Sequence, residues 1–180
     1  MILRNKKSHQ SGRSMIEMLG VLAIVGVLSA GGIAGYSMAM QSHKTNQLIE
    51  RIQLVASRVR SLYKGDYEGI SADNMISSGK ITSKDLENPF GGTFTLNKGY
   101  GGTVRTYFTI VISGNNIPAE TCTDLILTYW GEEGVFRGVG ISGTGGTEWS
   151  WNQGTYPPSD TSAVITACKS GNKSMWVEFK

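Results

Sequence analysis

The chain has 180 residues, 39% of them hydrophobic and 17% charged, with a formal net charge of +3. That excess sits in the first twelve residues, where Arg4, Lys6 and Lys7 meet no acid; the remaining basic and acidic residues balance at 14 each. The high pI therefore carries no argument for nucleic-acid binding by the rest of the chain. The histidines are His9 and His43, and no H-E-x-x-H, P-loop or nucleophile elbow occurs, so no catalytic, nucleotide or metal site is expected.

After the basic leader, Glu17 precedes a run from Met18 to Met40 with neither charge nor proline. A bilayer-spanning helix needs about 20 apolar residues, and this run suffices. A secretory signal would be cut after its apolar stretch. Ser29, Ala30 and Gly31 imitate such a site, but the apolar run continues past them. A membrane anchor with the basic end cytoplasmic and the C-terminal part exported fits better. A lone acid at the edge of a membrane span is costly unless paired, which marks Glu17 as a functional candidate.

The stretch Gly12-Arg13-Ser14-Met15-Ile16-Glu17-Met18-Leu19 resembles the prepilin processing motif of the type IV pilin family, which includes the pseudopilins of type II secretion. Gly12 matches the residue before the cut, and Ser14 to Glu17 match the second to fifth mature positions. Arg13 departs from the phenylalanine, methionine or leucine usual at the first mature position. The sharp match covers about 30 residues, in keeping with a membrane span of about 20 plus its flanks. The resemblance implies a leader of residues 1–12, cleavage between Gly12 and Arg13 by a prepilin peptidase, and N-methylation of Arg13. It also implies that Glu17 meets the N-terminal amine of a neighbouring subunit. A second reading of Glu17 is local: Ser14 and Glu17 have capping-box spacing, and an acid in the first turn complements the helix dipole.

Glycines occur at 20, 26, 31, 32 and 35. Gly31 and Gly35 form G-x-x-x-G, which suits close helix packing in membranes, although glycine is also simply common there. The cluster at 31–35 also weakens helix propensity by about 1 kcal/mol per glycine, which suits local melting on assembly.

Beyond Gln41, Leu48, Ile49, Ile52, Val55, Ala56, Val59, Leu62 and Tyr63 recur at three- and four-residue steps, an amphipathic helix with Gly65 as its stop. The joined helix is predicted over residues 13–64, about 78 Å at the helical rise of about 1.5 Å per residue. Residues 65–92 form a connecting loop, with Asn88-Pro89-Phe90-Gly91-Gly92 as a turn and a short helix at Ser83–Glu87. Residues 93–180 read as β-rich. Strands are predicted at Thr93–Asn97, Val104–Ser113, Leu125–Tyr129, Val135–Ile141, Ala163–Ala167 and Met175–Phe179.

Cys122 and Cys168, the only cysteines, are expected to be joined in an exported bacterial domain. Many pilins resemble this, closing a C-terminal loop with one disulfide. Trp130, Trp149, Trp151 and Tyr156 lie between them and are read mostly as core. Glu132-Glu133 resembles acids that hold calcium in some pseudopilins, but a solvated turn is the plainer reading.

The fold class expected is α+β: a long N-terminal helix, its first half membrane-spanning, packed on a C-terminal antiparallel sheet with one disulfide. The expected function is a non-enzymatic structural subunit of a type IV pilus-like filament, without cofactor. It is made in the bacterial inner membrane and moved into an extracellular or periplasm-spanning filament. Its partners would be copies of itself and other pilins, the prepilin peptidase, an inner-membrane assembly platform and, before assembly, membrane lipid. The alternatives are a type II secretion pseudopilin, or an unprocessed single-span membrane protein with a periplasmic binding domain.

Overall fold

A computed structural model describes residues 15–99, 104–113, 117–132, 134–142, 148–152, 156–169 and 174–180. Gly12, Arg13 and Ser14 lie outside the described residues. The chain divides into two units, the first ending at Met40 and the second running from Gln41 to Lys180.

Helix α1 runs from Met15 to Tyr63. Its part in the first unit, residues 15–40, exposes every side chain, including Ile16, Leu22, Val27 and Ile33. The helix is long and apolar enough to cross a membrane. Such a surface has no stable place in water; lipid or other protein must cover it. The helix stops one residue earlier than the sequence suggests. Lys64 takes φ +50° and Gly65 φ +94°, so the left-handed turn starts at Lys64 and glycine extends it.

In the second unit, α1 buries Leu48, Ile52, Val55, Ala56 and Val59 of the expected stripe, and Thr45 beside them, while Ile49, Leu62 and Tyr63 are partly buried at its edge. Helix α2 (Ala72–Ser77) follows, its first turn capped by Ser71, whose Oγ accepts from the Asn74 N–H at 3.1 Å. A 3₁₀ turn at Ser83–Leu86 occupies the place of the predicted short helix.

Five strands form one sheet: β1 (Phe94–Lys98), β2 (Val104–Ile112), β3 (Phe136–Ser142), β4 (Glu148–Asn152) and β5 (Ser174–Phe179). Their order is β1-β2-β5-β3-β4, and every neighbouring pair is antiparallel. The last strand is therefore the central one. Ile110 pairs with Val177, and Val177 with Val139, so the middle of the core is assembled from distant parts of the chain. Phe108, Ile110, Ile112, Met175, Val177, Phe179, Val139 and Ile141 join the α1 stripe in a single apolar cluster. Alternation along β2 and β5 puts these side chains on one face, as period-two geometry requires.

Two of the predicted strands are helices. Of the predicted strand Leu125–Tyr129, Leu125 to Leu127 belong instead to α3 (Ala119–Leu127), and Ala163–Ala167 belongs to α4 (Thr161–Lys169). In α3 the buried residues are Thr121, Cys122, Leu125 and Ile126, and in α4 Val164, Ala167 and Cys168. Those intervals of three and four make a helical face. Short β-branched runs do not distinguish strand from buried helix, and here burial on one side settled it in favour of helix. Strand β4 and helix α2 are elements that the sequence pattern did not suggest.

Candidate assembly surface and disulfide-bounded region

Glu17 lies in the first turn of α1 with its side chain exposed. An acid there opposes the partial positive charge of the helix N-terminus, so the position suits a carboxylate before any partner arrives. Ser14, its proposed capping partner, falls outside the described residues, as do Gly12 and Arg13 of the proposed cleavage site. Glu17 precedes the uncharged run, so along this helix the acid sits next to the apolar surface.

Among the described residues, no contact requires the glycines of this segment. A Cβ added at Gly20, Gly26, Gly31, Gly32 or Gly35 meets nothing within 4 Å. The helix continues unbroken through residues 31–35. Their small size leaves flat, open strips for another helix, which is the geometry small residues provide in membrane packing.

The second unit carries the disulfide. Cys122 on α3 and Cys168 on α4 are bonded, with Cα atoms 5.7 Å apart, and both are buried. The bond joins two helices otherwise separated in the chain by β3 and β4. Helix α3 is also tied to α1: the hydroxyls of Thr45 and Thr121 share a buried hydrogen bond of 2.8 Å, and Gln41 Nε2 donates to Glu120 Oε2 at 2.8 Å.

Trp130, Trp151 and Tyr156, between the cysteines, pack inward, whereas Tyr129 is exposed. Trp130 and Trp151 are buried, and the Trp130 indole N–H donates to the Leu125 carbonyl at 2.9 Å. The Tyr156 hydroxyl donates to the Thr128 carbonyl, and its ring lies 4.6 Å from that of Phe136. Burial pushes the Tyr156 phenol up to about 12. The Trp149 side chain lies outside the described residues. Glu132 is exposed, Glu133 is outside the described residues, and no group of three or more His, Cys, Asp or Glu that could hold a metal occurs among the described ones.

Two features had no signal in the sequence. Asp66, Glu68, Lys98 and Arg105 form an exposed ion-pair cluster. Arg105 Nη2 donates to Asp66 Oδ2 at 2.7 Å, and Lys98 Nζ to Glu68 Oε1 at 2.9 Å. The Arg105 bond, then the Glu68 backbone N–H, hold the Asp66 carboxyl below its ordinary value. The Arg137 guanidinium lies 4.4 Å over the Tyr107 ring, whose other neighbour is Gly99. Both features join residues more than 25 positions apart, which local spacing does not encode.

No protein-family model matches the chain. It is 25% identical over 190 residues to the major structural subunit of bundle-forming pilus from Escherichia coli O127:H6, covering 98% of this chain and 96% of that protein. It has the same identity and coverage to the subunit of that name from Escherichia coli O111:H-. It is 28% identical over 99 residues to toxin coregulated pilin of Vibrio cholerae, covering 49% of this chain and 44% of that one. The chain is thus similar along nearly its whole length to a pilus major subunit and along about half of it to a toxin coregulated pilin, and it joins an apolar N-terminal helix to an α+β domain.

Proposed function

We propose that the chain is a structural subunit of a type IV pilus filament, made as a membrane-anchored precursor and polymerised through α1. The observation that carries this reading is the likeness to a pilus major subunit along nearly the whole of both chains. The fully exposed apolar surface of residues 15–40 supports it, because lipid covers that surface before assembly and neighbouring helices cover it afterwards. In this reading the prepilin peptidase cuts between Gly12 and Arg13, and the new amine on Arg13 is methylated. Removing the leader creates the positive charge that Glu17 needs. In a filament the amine of one subunit lies against Glu17 of another, and mispairing leaves a buried charge that costs roughly 3–5 kcal/mol. That penalty sets the axial register. Export and assembly draw on a separate inner-membrane platform, and the subunit itself performs no catalysis.

Glu17→Gln removes the charge while keeping size and helix propensity. The expected result is wild-type accumulation in the membrane with filament yield down by about a hundredfold, as the loss of about 3 kcal/mol per contact requires. Wild-type filament yield from Glu17→Gln would contradict this role for the acid.

A further inference from the structure

Charge is segregated within the second unit. Along α1 from Gln41 to Tyr63 there are four lysines and arginines and one acid, Glu50. Between Arg105 and Arg137 there is no basic residue, and the acids of α3 and the turn after it fall there. From Arg13 onward the chain has equal numbers of basic and acidic residues. A neutral chain with separated charges is complementary to itself rather than to a strongly charged foreign surface.

Both charged surfaces also carry exposed apolar side chains. On α3, Glu120, Asp124 and Leu127 follow at intervals of four and three, and all are exposed, Leu127 by 40%. On α1, Leu54 and Arg58 lie one turn apart and exposed, Leu54 by 39%. Glu120 and Asp124 are like charges one turn apart, an arrangement that destabilises an isolated helix. Desolvation first, and then Glu120, raise the Asp124 carboxyl above its ordinary value. On the basic side, Lys44 lies over Phe90, Arg51 donates to the Glu87 carbonyl and Arg60 lies over Phe179. Arg58 forms no ion pair among the described residues, though its field reaches Asp85.

One copy does not bring these surfaces together. Helix α3 is fastened to α1 at Gln41 and Thr45, whereas Arg58 lies a further 13 residues beyond Thr45, about 20 Å along the helix. Because the two surfaces differ, contact between copies is head-to-tail. Such a contact builds a filament wherever its rotation does not close into a ring.

We propose that the Asp124–Leu127 face of α3 docks on the Leu54–Arg58 stripe of α1 in a second copy of this chain, pairing Asp124 with Arg58. This contact rests on the filament reading above and adds to it an interface in the second unit.

The test is a charge exchange in the full-length chain in cells carrying the assembly machinery: Asp124→Arg, Arg58→Glu and the two combined. Filament yield is read after shearing, normalised to chain in the membrane. Each single variant is expected to lower the yield at least about tenfold, and the double variant to restore most of it, because like charges at a contact cost several kcal/mol. Single variants that assemble normally, or a double variant that stays as poor as the singles, overturn the contact. A second measurement does not depend on assembly yield. Leu54→Cys and Leu127→Cys chains are co-expressed and sheared filaments are treated with a short bis-maleimide. A covalent dimer requiring both variants supports the contact, and filaments without that dimer overturn it. Absence of the wild-type chain from sheared filaments overturns the filament reading itself, an outcome distinct from either of these.

Discussion

Gly99 shows how one residue is constrained from a distance. A Cβ there would lie 2.2 Å from Tyr107 Cδ2 and 3.1 Å from the Tyr107 backbone oxygen. The ring has Arg137 stacked on it, so moving it away disrupts a second contact. Gly99→Ala is expected to destabilise the second unit by about 1–3 kcal/mol, the usual cost of overpacking. Thermal unfolding of the detergent-solubilised chain measures this, and an unchanged midpoint would contradict it. Asp66 behaves differently, because it is exposed and held by charge. Its folded-state carboxyl is lowered, so its contribution is present above the ordinary value of 3.8 and is lost as pH falls through the folded value. The melting midpoint of the wild type is expected to fall below about pH 4 more steeply than that of Asp66→Asn. High salt narrows the difference, since an exposed pair is screened. Tyr156 acts at the other end of the scale. Its phenol is raised to about 12, so its burial stabilises fully below about pH 10 and the stabilisation erodes between there and about pH 12. Tyr156→Phe removes that alkaline decline.

At the scale of elements, helix α1 was legible throughout. Its apolar run and the stripe from Leu48 to Val59 are long, and long periodic signals resist ambiguity. A short helix was expected at Ser83–Glu87, and a 3₁₀ turn stands there at Ser83–Leu86, held by a Thr82–Asp85 capping box. Helices α3 and α4 were read as strands. The segments are nine residues each, with two threonines and one isoleucine in each, and their helical character comes from what they pack against. The disulfide makes that packing durable. Closing a loop across a sequence separation of 46 stabilises by about 4 kcal/mol in the chain-entropy model. The Cys122→Ser, Cys168→Ser double variant is expected to lose roughly that much, with α3 and α4 becoming protease-sensitive before the sheet. A protease pattern identical to the wild type would contradict this. Substitution in the sheet centre acts on everything at once: Ile110→Ala, fully buried between β1 and β5, is expected to cost about 2–5 kcal/mol in denaturant unfolding.

For the molecule as a whole, the fold class followed from composition along the chain: an uncharged run, an amphipathic continuation, then β-rich segments. Strand order did not. Nothing in residues 174–179 announces that they will separate β2 from β3, because pairing across a sheet depends on long-range packing rather than local pattern. The assembly site is read in the same mixed way. Glu17 and its apolar neighbours are legible as residues, and the structure displays their exposure; the partner proposed for them lies on another copy. The proposed cycle joins these parts: the leader keeps the Arg13 nitrogen as a neutral peptide amide, its hydrolytic removal frees a charged amine for Glu17, and the exposed helix moves from lipid into a filament. The most direct test is intact mass and N-terminal sequencing of the native chain recovered from sheared filaments. The account predicts a chain beginning at Arg13 with a methylated amine. A chain beginning at Met1 in cells with an active prepilin peptidase would contradict it, leaving a membrane-anchored domain in place of a pilus subunit.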